Sequence, residues 1–221
     1  MKRKGKKAKK IESGFRWIVI GSLVLISALT LTVYNMRIDT QAGETAEAIE
    51  QELKQKIQKN TAAGDYTRID TTDQLLYVEA SEKDMPVIDV DGQDYIGILE
   101  IPVLDLSLPV TSDWSYSEMK LAPCCYKGSA YRNNMAIAAY NYQSHFGHLN
   151  ELQSGDTVIF TDTEGNMFCY EVMDLEAQES ASLEKLEDSE YDLTLYACNY
   201  SGKTRCTVNC SLVNIYTKGV Q

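Results

Sequence analysis

Proline and glycine are scarce, 4 and 13 residues of 221, while 44% of the chain is hydrophobic. That balance excludes collagen-like, low-complexity and wholly disordered chains. Basic residues are scarce as well once the first 16 positions are passed. Those positions hold eight Lys/Arg against the single acid Glu12, which leaves 13 basic and 31 acidic side chains in the other 205 residues. A body with a balance of −18 lacks the Lys/Arg surface needed to displace counterions from phosphate. Nucleic acid is excluded as a partner. No internal repeat is apparent, so a solenoid or propeller is not indicated.

What is present begins with an uncharged run, WIVIGSLVLISALTLTVY, at residues 17–34. At a helical rise of about 1.5 Å per residue it spans roughly 27 Å, close to the thickness of a hydrocarbon core. A buried core helix would carry a polar stripe, and this run has none. A signal peptide has a shorter apolar centre and a small-x-small cleavage site, which Val33-Tyr34-Asn35-Met36 does not supply. Trp17 and Tyr34 stand at the two ends, where amphipathic rings favour the membrane interface. Lys2, Arg3, Lys4, Lys6, Lys7, Lys9 and Lys10 keep the head in the cytoplasm by the positive-inside rule. The expected organisation is a basic cytoplasmic head (1–16), a single-pass anchor in the cell membrane (17–34), an extracellular stalk helix and linker (35–90), and an extracellular domain (91–217).

Within the stalk, Ala46, Ile49, Leu53 and Ile57 recur at spacings of three and four, one narrow apolar face of a helix. Its early Glu44 and Glu47 and late Lys54, Lys56 and Lys59 suit the helix dipole. The mixed charge argues against a calmodulin-like or membrane-surface helix. Residues 60–90 are polar and acidic, with at most a short strand or turn around Leu75-Leu76-Tyr77-Val78.

From Tyr95 the texture changes to short alternating apolar runs. YIGILEIPVLDLSLPV is broken by Pro102 and Pro109, which suit strand ends and edges. MAIAAY at 135–140 is nearly all apolar, the pattern of a central, buried strand. TVIFT at 157–161 and MFCYEV at 167–172 flank DTEGN, a hairpin signal. DLTLYA at 192–197 and RCTVNCSLV at 205–213 surround NYSGK. Six to eight strands, with brief helical turns near 115–121 and 146–153, predict one closed or nearly closed all-β barrel.

Six cysteines remain: Cys124, Cys125, Cys169, Cys198, Cys206 and Cys210. An extracellular site permits disulfides. Cys206 and Cys210, however, lie four residues apart on one strand, about 13 Å, beyond disulfide reach. Zinc is weakly supported, since there is no C-x-x-C and neither His145 nor His148 adjoins a cysteine. Cys198 differs from the others because it closes an apolar strand and opens a Gly-containing loop. That position predicts a thiol at a cleft mouth, the cysteine most readily alkylated. The bland alternative is a buried cysteine acting as a small hydrophobe.

Three blocks in order, IGILEIPVLDLSLPV, MAIAAYNYQSHFGHLNELQSGDTVIFTDTEGNMFCYEV and LTLYACNYSGKTRCTVNC, resemble the sortases of Gram-positive bacteria over residues 90–216. The resemblance implies an eight-stranded β-barrel behind an N-terminal anchor, and a cysteine transpeptidase. It implies no required cofactor or metal, with calcium left open. Its partners would be secreted proteins with C-terminal LPxTG-like sorting signals and an amine acceptor, a cell-wall precursor or a pilin. The T-L-x-T-C nucleophile motif is matched by Thr194-Leu195-Tyr196-Ala197-Cys198, making Cys198 the implied nucleophile. Arg205 falls where the assisting arginine lies, and Ala197 and Asn141 fall at implied substrate-binding positions.

Two positions depart from the family pattern. The acid/base histidine of an A-H-N-Y stretch is here Tyr140, and the Thr before the nucleophile is Ala197. Thioester exchange needs a thiolate, a proton for the leaving amine and a base for the incoming one. A thiol near 8.5 and an imidazole near 6.5 can share a proton at neutral pH; a phenol near 10 can donate one but supplies little phenolate as base. His145 and His148 follow within eight residues, and structural roles are the simpler reading of both. Two readings stay open: a working or weakened sortase, and a catalytically impaired sortase-like protein that binds sorting peptides or a partner sortase. A different cysteine peptidase is the outsider, since no histidine block has suitable context.

Overall fold

The computed structural model describes residues 4–60, 66–69, 84–176, 190–198 and 204–218. The expected strand or turn at 75–78 and the loop at 199–203 lie outside the described residues. The chain divides into two units, Met1–Gln41 and Ala42–Gln221. A single helix, α1 (Lys4–Asn60), runs through the division.

In the first unit, α1 contains an 18-residue apolar window, long enough to cross a membrane, none of which is buried. The two threonine hydroxyls of the apolar run are satisfied within the helix. Thr30 donates its hydroxyl to the Ile26 carbonyl at 2.8 Å and Thr32 to the Ala28 carbonyl at 3.0 Å. Hydrocarbon demands that economy, because an unpaired polar group there costs several kcal/mol, on the order of a lost hydrogen bond. The helix is suited to be a single-pass membrane anchor.

The second unit is a sheet closed on itself. Its strands are β1 (Tyr66–Ile69), β2 (Ile88–Val90), β3 (Gln93–Ile101), β4 (Leu106–Thr111), β5 (Cys124–Lys127), β6 (Met135–Tyr140), β7 (Thr157–Asp162), β8 (Met167–Glu176), β9 (Leu193–Cys198) and β10 (Thr204–Lys218). The order β10-β8-β7-β3-β4-β5-β6-β9 returns to β10, a ring of eight, with β1 added on β10 and β2 on β3. Pairs are antiparallel except β4–β5 and β6–β9. Alternate side chains fill the interior: Leu99, Ile101, Val110, Ile137, Phe160, Phe168, Val172, Leu195 and Val208 form one buried cluster. MAIAAY is buried at every position, as its apolar run predicts, because both faces are covered. Short 3-10 turns at Glu118–Lys120 and Leu149–Glu151 fall where brief helical turns are expected.

Two features differ from the sequence expectation. Residues 60–90 contribute strands β1 and β2, too short and too polar to show a period. The helix read as a free-standing stalk instead docks: Leu53 and Ile57 pack with Val90, Tyr95, Ile98 and Ala122, while Ala46 joins the barrel interior cluster. Lys56 fixes the register by donating to the Asp89 carbonyl at 2.7 Å. Leu53 is 0% exposed, so Leu53→Ala is expected to destabilise the domain by about 2–5 kcal/mol. A urea melt of the purified chain measures it; a loss under ~0.5 kcal/mol would show the helix to be undocked.

Candidate active site

Parallel pairing brings two strand ends together. The β6–β9 register runs from Met135 opposite Leu193 to Tyr140 opposite Cys198. Beyond the pair, the Asn141 amide donates to the Cys198 carbonyl at 2.8 Å, closing the ladder. Leu193, Leu195 and Ala197 belong to the interior cluster, as do Met135, Ile137 and Ala139. The period of two therefore turns Thr194, Tyr196 and Cys198, with Ala136, Ala138 and Tyr140, to the outer face. Cys198 and Tyr140 are side-by-side neighbours on that face.

Cys198 is 0% exposed. Its thiol faces the Tyr196 carbonyl at 3.9 Å, and burial pushes its pKa up to about 12. The expectation of a readily alkylated thiol at a cleft mouth is corrected here: the strand end is where it should be, but the sulfur is enclosed. Tyr140 is buried too. Its hydroxyl donates to the Tyr116 carbonyl at 3.3 Å, and its ring lies 5.5 Å from that of Tyr142.

The remaining sequence candidates fall around this pair. Arg205 lies on β10 at a register irregularity, between Thr204, opposite Cys198, and Cys206, opposite Ala197. Its side chain lies outside what the structure describes. Ala197 packs in the barrel interior, and Asn141 is exposed and meets Cys198 through its backbone. His145 is buried with its ring 5.4 Å from Tyr142. It sits in a tight loop in which the amides of His145 and Gly147 both donate to the Tyr142 carbonyl, at 3.0 and 2.7 Å. A Cβ at Gly147 would stand 2.6 Å from that carbonyl, so the turn needs glycine. His148 is half-exposed, with Nδ1 2.6 Å from Glu151 Oε1. Neither histidine is brought to Cys198 by the strand register.

All six cysteines are free thiols, and among the described residues no three His, Cys, Asp or Glu side chains gather as a metal site. Sequence reasoning expected a helical turn near 115–121 but not the aromatic cluster that joins it to β5. Trp114, Tyr116 and Tyr126 pack edge-to-face, at 5.2 Å for Trp114–Tyr116 and 5.3 Å for Trp114–Tyr126. Three aromatics within thirteen residues, around a predicted turn, were the available signal.

An eight-strand ring with a cysteine closing the strand parallel to β6 defines a class of fold. The same fold is found in sortase C1 of GBS Pilus Island 1, with 17% identity over 80% of this chain and 96% of that one, at a TM-score of 0.52. It is also found in Streptococcus pneumoniae sortase C, with 14% identity over 75% of this chain and 96% of that one, at a TM-score of 0.51. A search of the curated proteins finds no match to the sequence. The pattern of the Sortase domain family matches residues 99–213, more than half of the chain, and the chain belongs to the sortase family.

Proposed function

We propose that this sortase-family protein is a transpeptidase that cleaves an LPxTG-like sorting signal through a thioester on Cys198. The acyl group then passes to an amine of a cell-wall precursor or a pilin. The observation that carries this reading is the register pair Tyr140–Cys198, which sets the implied nucleophile beside the position of the family's acid/base. In the first half-reaction the Cys198 sulfur bonds the scissile carbonyl carbon, the C–N bond breaks and the leaving amine takes a proton. In the second, the acceptor amine attacks the thioester, loses its proton and releases the thiol. Arg205 would stabilise the thiolate and the oxyanion, because guanidinium stays protonated. Tyr140 can donate a proton to the first leaving group but serves the second half-reaction poorly as a base. The chemistry asks for no cofactor.

The setting follows from the anchor. The basic head lies in the cytoplasm and residues 36–221 outside a Gram-positive cell, where sorting signals and cell-wall amines meet. A pilin acceptor is favoured over other amines by the kinship in fold with pilus-island sortase C1 and with the pneumococcal enzyme, described for its pilin substrate specificity.

A second reading, a sortase-like binder without turnover, is favoured by one observation: the Cys198 thiol is enclosed and burial pushes its pKa up to about 12, beside a tyrosine where the resemblance implies a histidine. One experiment separates the two. The full chain in detergent is incubated with LPxTG pentapeptides and its intact mass recorded. A slow acyl adduct on Cys198, absent from Cys198→Ala, is the expected result. Peptide binding with no adduct would give the protein to the binder reading.

A further inference from the structure

Gly43 stands inside α1, where glycine is a poor helix former beside alanine. Its surroundings account for the choice. A Cβ at this position would lie 2.9 Å from the Ser144 Cβ, closer than such atoms approach. The flanking residues of the same face are small and buried, Ala42 at 5% exposed and Ala46 at 1%. Small side chains bring the helix backbone down onto the loop that follows Tyr140. The rest of the docked helix is seated elsewhere on the domain. Leu53 and Ile57 rest on Val90, Tyr95 and Ile98, and the Ser107 hydroxyl donates to Glu50 Oε1.

The loop leads back to the candidate site. The Phe146 amide donates to the Tyr140 carbonyl at 3.3 Å, so the turn closes directly behind the residue opposite Cys198. Phe146 and Leu149 belong to the buried cluster that takes in Ala46. Ser144, against the helix, adjoins His145, whose ring meets that of Tyr142, and the Tyr142 ring meets that of Tyr140. Helix and site are thereby joined by two short routes, one through backbone bonds and one through rings. A loop tied by turn bonds takes much of its local stability from what packs on it.

We propose that the docked helix is a conformational control on the site: seated on Ser144 through Gly43, it holds the 141–147 loop closed behind Tyr140, and the loop opens when the helix lifts. Gly43 is thereby a positioning residue, acting on Tyr140 through the loop. Coupling of this kind is reciprocal. A ligand that favours the closed loop tightens the helix on the domain, and anything that draws the helix away loosens the loop. The inference goes beyond the transpeptidase reading and does not depend on it, since the loop is read without substrate or turnover.

The test is amide hydrogen exchange, read by peptide mass spectrometry on the full chain in detergent. Four chains are compared: wild type, Gly43→Ala, Ser144→Gly and the double variant. Gly43→Ala favours the helix itself, so any loosening it causes comes from the contact and not from helix loss. It should speed exchange of the peptide holding the Phe146 and Gly147 amides about five- to fiftyfold, the range over which one forced methyl disturbs a packed contact. With the Ser144 side chain removed the methyl has room, so Gly43→Ala should change nothing in the Ser144→Gly background. The β7–β8 hairpin, whose Val158, Phe160, Phe168 and Val172 lie in the barrel core, is the internal control and should keep its wild-type rate. Equal loop exchange in wild type and Gly43→Ala overturns the coupling, as does an acceleration that survives Ser144→Gly. So does a hairpin that quickens in step with the loop, which would mean that the domain as a whole has loosened.

Discussion

Tyr140→His raises turnover of an LPxTG pentapeptide by about 10²–10⁴-fold, the factor a general acid/base supplies. In barrier terms that is roughly 3–5 kcal/mol. The expectation rests on the ring being intact around the site: β6 and β9 are buried along their whole length, and their register already sets position 140 opposite Cys198. A free imidazole titrates near 6.5 and can both take a proton and return it to the leaving amine, which a phenol near 10 cannot do at neutral pH. The rate should then follow a bell in pH, with limbs that belong to the thiol–imidazole pair and not to either group alone. In a Cys198→Ala background the same change should do nothing, since a base without its nucleophile has no reaction to assist. Replacing His145 separately tests whether residual wild-type activity comes from that side chain. Ala197→Thr is the less clean repair, because Ala197 packs in the interior cluster and a hydroxyl there is buried among apolar groups. If peptide binds Tyr140→His normally and no turnover appears, the transpeptidase reading gives way to the binder.

How far the sequence carried this depends on where each feature's partner lies. The anchor and MAIAAY were legible because a long or short apolar run reports its own environment. So was the 157–172 hairpin, whose turn is tied by Asp162 accepting from the amides of Glu164 and Asn166, both at 2.9 Å. The apolar face of the helix was also read correctly, but its partners Val90, Tyr95 and Ile98 are more than thirty residues away, so its docking was not visible. Strand β5 went unseen because CCYK is four residues long and meets β4 at one pair. The site divides in the same way. A motif placed Cys198, and parallel pairing then set Tyr140 beside it. Tyr140 in turn bonds the Tyr116 carbonyl, 24 residues earlier, in a stretch whose aromatics carry no period. Local pattern gives strands and nucleophile; burial of the nucleophile is a tertiary property.

That burial has a second consequence, in alkali. Burial pushes Cys124 and Cys125 up to about 11, and Cys198 and Cys210 up to about 12, from an ordinary 9.0. Tyr95, Tyr170 and Tyr196 are raised by burial as well. A thiol with a folded pKa above its unfolded one keeps its proton in the native state after the unfolded chain has lost it. Its contribution is therefore whole below about pH 9 and is lost progressively as pH rises through the folded value. One pKa unit corresponds to ~1.4 kcal/mol, so Cys210 alone accounts for on the order of 4 kcal/mol between pH ~9 and ~12. The other raised thiols act in the same direction. Stability measured by urea melts at stepped pH should be level from about pH 6 to 8 and fall from about 9 upward. Cys210→Ala tests the assignment without touching the active site. It should lower stability at pH 7, where a small cavity is all that changes, yet make the alkaline slope shallower by one proton. A slope unchanged in that variant would place the titrating groups elsewhere, with the buried tyrosines next in line. A wild-type curve level to pH ~11 would mean that these thiols meet water in the native state.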